Sequence, residues 1–230
     1  MPTRTAGPPG VSPRIAIPRT RTGLAFILPG VAGFAALTWV VRRKRTESVD
    51  LAISLRVQAI RHPVLERAMA VISWFGFPPQ SRIIPPAAMV ALWLGRYRLE
   101  SAMLLGAWAS ALASTVAKGF MRRPRPVAGT DLRVVAADLG GSSFPSGHVL
   151  TYTSVYGWLA IVAAVIIRPV GVRRAVVAAL GALIAGVGPS RIHLGHHWPT
   201  DVAASYLLGS SYLAALVVVY RRLKVRGVLG

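Results

Sequence analysis

Cysteine is absent from this 230-residue chain, which excludes a disulfide framework, a thiolate metal site and a thiol nucleophile together. Without cysteine, redox usage says nothing about the compartment. Acid is almost as scarce: seven Asp and Glu residues face 27 Lys and Arg. A carboxylate-rich magnesium or two-metal centre needs more acid than that. No internal repeat of fixed period is present, and no low-complexity tract stands out beyond enrichment in Ala and Val.

Apolar sequence is what the chain has in plenty, with a mean hydropathy of +0.53. Residues 23–41, 101–117, 149–167 and 202–220 are free of charge, and 175–190 forms a slightly shorter run. These approach the ~20 residues needed to cross a hydrocarbon core, so the chain is read as an integral membrane protein. A thirteen-residue run at 83–95, with Pro85 and Pro86 near its start, is counted as a sixth span; an interfacial or buried helix is the alternative. The expected fold class is all-α, a polytopic membrane helical bundle of about six transmembrane helices. Gly106, Ser110 and Ser114, four residues apart, suit close helix packing within it.

A net charge of +20 would point to nucleic acid in a soluble protein. Here the cations cluster where apolar runs end, as in RRKR at 42–45, RPVGVRR at 168–174 and RRLKVR at 221–226. They read as anchors to anionic headgroups, and the expected partner is the bilayer, with no nucleic acid. Residues 1–22, rich in Pro, Arg and Thr, read as a mobile basic tail, 23–220 as one transmembrane domain, and 221–230 as a basic C-terminal tail. The run from Leu24 is too long for a signal-peptide core and ends in a basic cluster, which makes it an uncleaved first span. Between spans one and two, Leu51, Ile53, Leu55, Val57 and Ile60 interleave with Arg56, Arg61 and Arg67. That spacing predicts amphipathic helices along the membrane surface, with His62 capping the segment before Pro63.

Two crossings, 149–167 and 175–190, separate the polar segment 118–148 from the polar segment 190–201. Both segments therefore face the same side, whatever becomes of the sixth span. Lys and Arg divide almost evenly between the two sides, so charge bias does not orient the chain. Polar groups gathered at a membrane surface are functional candidates. KGFMRRPRP at 118–126 and Arg191 supply guanidinium and ammonium donors suited to phosphate oxygens. FPSGH at 144–148 makes a small turn into a helix, whose first N–H groups and positive dipole end favour an anion, with Gly147 permitting close approach.

Phosphate binding alone needs no histidine, yet SRIHLGHHWPTD at 190–201 carries three. In its second half Pro199 suits a first helical position and Asp201 falls in the first turn, close enough to accept a hydrogen bond from His197. The other ring nitrogen of His197 is then free to attack phosphorus. His148, at the other helix start, is placed to protonate the leaving oxygen and later to deprotonate water. Arg122 and Arg123 read as headgroup anchors outside the core site, and His193 and His196 as polar loop residues. Zinc on His193, His197 and either His148 or Asp201 is the sharper rival, but Gly195 and Pro199 interrupt the helix that spacing requires.

As a set these residues resemble the type 2 phosphatidic acid phosphatase superfamily, which includes membrane lipid phosphatases and soluble vanadium haloperoxidases. Its pattern is met by Lys118 with Arg125-Pro126, by Pro-Ser-Gly-His at 145–148, and by Ser190-Arg191 with His197 and Asp201. The resemblance implies that Lys118, Arg125 and Arg191 hold phosphate with help from Ser146 and Gly147. It implies that His148 is the acid and that His197, oriented by Asp201, becomes a transient phosphohistidine. It further implies no metal or other cofactor, and a site on the extracytoplasmic side of what the Arg and Ala content suggests is a bacterial plasma membrane. The activity expected is hydrolysis of a phosphomonoester or pyrophosphate of a membrane lipid. The rival reading is a non-catalytic protein that binds or transports an anionic lipid.

Overall fold

A computed structural model describes residues 20–126, 132–134 and 140–228, with side chains from residue 25 onward. Most of the tail expected at 1–22 lies outside the described residues. The described part is helical: α1 (Thr20–Arg42), α2 (Glu47–Ala59), α3 (Pro63–Trp74), α4 (Gln80–Leu94), α5 (Arg98–Trp108), α6 (Ser110–Met121), α7 (Gly147–Thr151), α8 (Gly157–Ile166), α9 (Val170–His193) and α10 (Pro199–Val225). A π-helical turn at Tyr152–Tyr156 joins α7 to α8. Among the described residues five stretches are long and apolar enough to cross a membrane: Ala25–Arg42, Arg98–Met121, Gly147–Ile166, Val170–His193 and Pro199–Val225. The segment expected as a sixth span is helical, within α4, but its 15 residues rise only about 22 Å and it is not among these five. The basic stretch after residue 220 is not a loose tail at its start, since α10 continues to Val225.

The bundle is centred on Trp158, Leu104, Leu99, Val155 and Tyr220 at one end and on Val149, Tyr152, Val187 and Val202 at the other. Small residues set the close approaches, as expected for helices that cannot use water to drive their association. A Cβ on Gly106 would touch Leu216 at 3.0 Å, and one on Gly33 would touch Leu207 at 3.1 Å. Ser110 and Ser114 are buried. At the end remote from the motifs, the Glu100 carboxylate accepts from Tyr220 at 2.7 Å and Lys224 at 2.6 Å, while Trp158 donates to the Glu100 carbonyl at 3.0 Å. A carboxylate within the bundle is thereby paired rather than stranded.

The two helices between spans one and two form as the pattern predicts. His62 Nδ1 accepts from Val64 N at 3.2 Å, capping α3 ahead of Pro63. In α2, however, the buried face is the polar one. Asp50, Ser54 and Gln58, four residues apart, are turned inward, while Val49, Ile53 and Leu55 are exposed. The polar stripe meets the rest of the protein while these apolar side chains face outward, the reverse of a soluble helix. This stripe is what brings α2 to the site.

Candidate active site

The motif residues converge at one end of the bundle. Lys118 sits in the last turn of α6, Ser146 and Gly147 begin α7 with His148, Arg191 lies in the last turn of α9, and Asp201 in the first turn of α10. Gly195, with φ of +74°, turns the chain out of α9, and Pro199 restarts it as α10. A side chain at 195 would run into the carbonyl of Arg133. Glycine is therefore needed both for the left-handed backbone and for the close approach.

His197 is fully enclosed, 2% exposed. Its Nδ1 lies 2.8 Å from the Ser143 carbonyl, a group that only accepts, so Nδ1 carries the proton and Nε2 presents its lone pair. Arg125 Nη1 lies 3.3 Å from that Nε2 and donates to the His196 carbonyl at 2.8 Å. Asp201 stands 3.5 Å from Nδ1, further than the direct hydrogen bond expected from the sequence. The backbone carbonyl fixes the tautomer, and the carboxylate adds a negative field behind the ring. Asp201 itself accepts from Trp198 N at 2.9 Å and from Arg123 at 2.6 Å.

His197 lies between the spanning helices. Burial, then the charges of Arg191, Arg125 and Lys118, hold its pKa well below the usual imidazole value. The ring is neutral at neutral pH, as a nitrogen nucleophile must be. The same burial, with Arg191 and Arg125, pushes His196 down to about 3.

His148 and Arg191 are organised by Phe77, in the turn between α3 and α4. The Phe77 ring packs edge-on against His148 with centroids 4.6 Å apart, and Arg191 Cζ stands 5.0 Å from its centroid. Arg191, 1% exposed, donates to Ser73 Oγ at 2.7 Å. A Cβ on Gly147 would fall 3.3 Å from Ser114 Oγ and 3.8 Å from Lys118 Nζ, which places the lysine against the start of α7. Among the described residues Ser146 Oγ, His148 Nε2 and Arg191 Nε are buried with no hydrogen-bond partner in the protein. Three unmet polar atoms beside a cluster of cations suit an oxyanion. A cavity of about 250 Å³ opens from His148 and Gly147 between Trp108, Tyr152 and Tyr156. The π-helical turn carries both tyrosines into its wall.

The three clustered histidines go to different places. His193 Nδ1 lies 3.3 Å from the Val57 carbonyl, His197 faces Ser143 and Arg125, and His196 packs 6.1 Å from the Phe77 ring centroid. Among the described residues no three His, Cys, Asp or Glu side chains converge as a tetrahedral set. Arg123, read from sequence as a headgroup anchor, instead spans two enclosed carboxylates, Asp50 at 2.6 Å and Asp201 at 2.6 Å. Asp50 also accepts from Thr200 N at 2.9 Å and from its hydroxyl at 2.8 Å. Gln58 ties the loops, bonding Arg133 N and O at 2.8 and 2.9 Å and the His193 carbonyl at 3.2 Å. The sequence reading does not single out Asp50, and the scarcity of carboxylates is the one signal that could have found it. For Phe77 and Ser143 the sequence carries no signal.

Against known proteins, the sequence model of the PAP2 superfamily matches residues 99–224. The chain is 29% identical over 180 residues to phosphatidylglycerophosphatase B of Bacillus subtilis (strain 168), covering 76% of this chain and 85% of that one. Its fold is similar to the crystal structure of a transmembrane PAP2-type phosphatidylglycerolphosphate phosphatase from Bacillus subtilis. The TM-score is 0.72 at 25% identity, over 86% of this chain and 97% of that one. LpxE of Aquifex aeolicus shares the fold with a TM-score of 0.57 at 21% identity, over 73% of this chain and 93% of that one.

Proposed function

The chain belongs to the PAP2 superfamily, and from that premise we propose that it is a metal-independent lipid phosphate phosphatase working through a phosphohistidine on His197. The observation that carries this reading is the state of His197: its Nδ1 is committed to the Ser143 carbonyl at 2.8 Å while its Nε2 lone pair faces Arg125 at 3.3 Å. A phosphoryl group held by Lys118, Arg125 and Arg191, with Ser146 and the first N–H groups of α7, meets that lone pair directly.

In the first step the Nε2–P bond forms and the bond from phosphorus to the lipid oxygen breaks, with His148 delivering a proton to the departing oxygen. In the second step water attacks phosphorus, His148 takes its proton, and the N–P bond breaks to release inorganic phosphate. The cations spread the charge of the five-coordinate transition state, and the field of Asp201 stabilises the charged imidazole. Similarity to phosphatidylglycerophosphatase B favours a lipid phosphomonoester of a bacterial plasma membrane; a lipid pyrophosphate would use the same steps. On the same reading the site faces the extracytoplasmic side, which the motif resemblance supports.

The test is phosphate release from a panel of lipid phosphomonoesters and pyrophosphates in detergent with EDTA present. Turnover that persists in EDTA supports the proposal, and strict metal dependence defeats it. Lipid binding with no phosphate released from any member of the panel supports the binder instead.

A further inference from the structure

A second cavity, of about 550 Å³, opens at the same end of the bundle as the site but on its outer flank. One part of its wall is apolar, made by Val41, Leu51, Phe120 and Met121. Its rim is cationic, made by Arg42, Lys44 and Arg122, with Glu47 as the one acid in the lining. Arg42 ends α1 and Met121 ends α6, so the boundary between wall and rim falls where two spanning segments finish. That is the depth at which hydrocarbon gives way to headgroups. Trp39 lies about one turn inside it, with Arg43 and Arg45 over its ring at 5.6 and 5.4 Å.

Two further observations set the groove apart from an ordinary basic flank. Lys44 and Arg122 both adopt left-handed backbone, with φ of +55° and +44°, a conformation in which glycine is the least costly residue. At two facing helix ends the sequence thus keeps a cation where glycine would serve the turn. Among the described residues, moreover, no ion pair engages Arg42, Lys44 or Arg122. Arg123 and Trp198 close the inner end, and the charge of Arg123 already serves Asp50 and Asp201.

We propose that this groove binds one anionic phospholipid of the surrounding leaflet, its phosphodiester on Arg42, Lys44 and Arg122 and an acyl chain along Val41, Leu51, Phe120 and Met121. The match of charged rim and apolar wall to the two parts of one lipid favours this occupant over a soluble anion, which would leave the wall bare. This groove shares no lining residue with the cavity at His148, and a phosphodiester brings no terminal phosphoryl group to the catalytic cradle. It stands whether or not the chain hydrolyses lipid phosphates.

The test uses the full chain in phosphatidylcholine nanodiscs with a phosphatidylserine probe that carries a photoactivatable diazirine on one acyl chain. Cross-links mapped by peptide mass spectrometry are expected near Leu51 and near Phe120 and Met121. The R42Q/K44G variant is expected to lower them roughly thirtyfold, the loss appropriate to two interfacial cations. Glycine accepts the backbone at position 44, so this variant keeps the turn, and R122G is a second variant with the same property. Equal labelling of both variants and the unaltered chain overturns the proposal. Equal labelling by a phosphatidylcholine probe overturns it in favour of an ordinary annular lipid, and displacement by millimolar inorganic phosphate overturns it in favour of a soluble anion.

Discussion

Arg123 Nη1 lies 2.6 Å from Asp201 Oδ1, closer than the 3.5 Å that separates the same carboxylate from His197 Nδ1. Its other arm reaches Asp50 at 2.6 Å. Only a planar fork with two separate nitrogens bridges two enclosed carboxylates in this way. The field behind His197 is therefore set by a loop arginine and by a helix that precedes the second span.

Arg123→Gln is expected to destabilise the protein by about 3–5 kcal/mol, the usual cost of breaking a buried pair from one side. It is also expected to lower kcat with little change in KM, because Asp201 loses its position while the phosphate-binding groups stay. Arg123→Lys should fail to restore the rate, since one ammonium replaces two arms. Thermal unfolding in detergent together with steady-state kinetics on a lipid phosphate reads both effects. A Lys variant with full kcat removes the bridging role.

His197→Ala is expected to abolish turnover, and His148→Ala to leave a slow or trapped phosphoenzyme. Labelling with a ³²P-labelled lipid phosphate, quenched in alkaline detergent because the histidine N–P bond is lost in acid, separates the two: none of the first variant labels, and the second retains label. An ordinary rate in either variant withdraws that residue's role.

The contrast between these residues and Arg123 shows what was legible beforehand. Lys118, Arg125, Ser146, Gly147, His148, Arg191, His197 and Asp201 could be named because each sits at a helix end or in the loop beside one, in a short run whose chemistry is local. The convergence of 118–148 with 190–201 followed from counting crossings between them. Asp50, Gln58, Ser73 and Phe77 act across long stretches of chain, and nothing beside them in sequence betrays the partner. In α2 the periodicity was visible but its sense was not, because hydropathy alone does not tell which face of a helix meets lipid and which meets buried polar loops. The π-helical turn left no mark either, since its residues continue an apolar run.

The pH dependence follows from the depressed pKa of His197. A lowered value keeps the imidazole neutral below its ordinary 6.5, so the acid limb of kcat/KM that reports the nucleophile is expected below the usual imidazole range. Arg125→Gln removes one of the charges responsible and should move that limb upward on the same substrate. A limb centred on the ordinary value and unmoved in the variant contradicts the assignment. Stability carries the same sign: His196, at about 3, and His197 stay neutral while the unfolded chain takes up protons below about pH 6.5. The unfolding midpoint should therefore fall as pH drops from 6.5, and less steeply in His196→Gln.

Vanadate, which adopts the five-coordinate geometry of phosphoryl transfer, is expected to inhibit. Lys118→Ala and Arg191→Gln should each weaken that inhibition by about 10- to 100-fold, the range for losing one charge-assisted hydrogen bond. Inhibition constants measured at fixed ionic strength decide this, and an unchanged constant takes the residue out of the oxyanion cradle.

The inward stripe of α2 has a bearing on how such proteins can be cut and recombined. Residues 99–224 hold every signature amino acid, yet Asp50 and Gln58 lie upstream of that boundary. A gene spliced at the recognisable edge would encode the full set of reactive side chains with a sequestered guanidinium deprived of one counter-ion. Its heritable unit extends well beyond its legible signature.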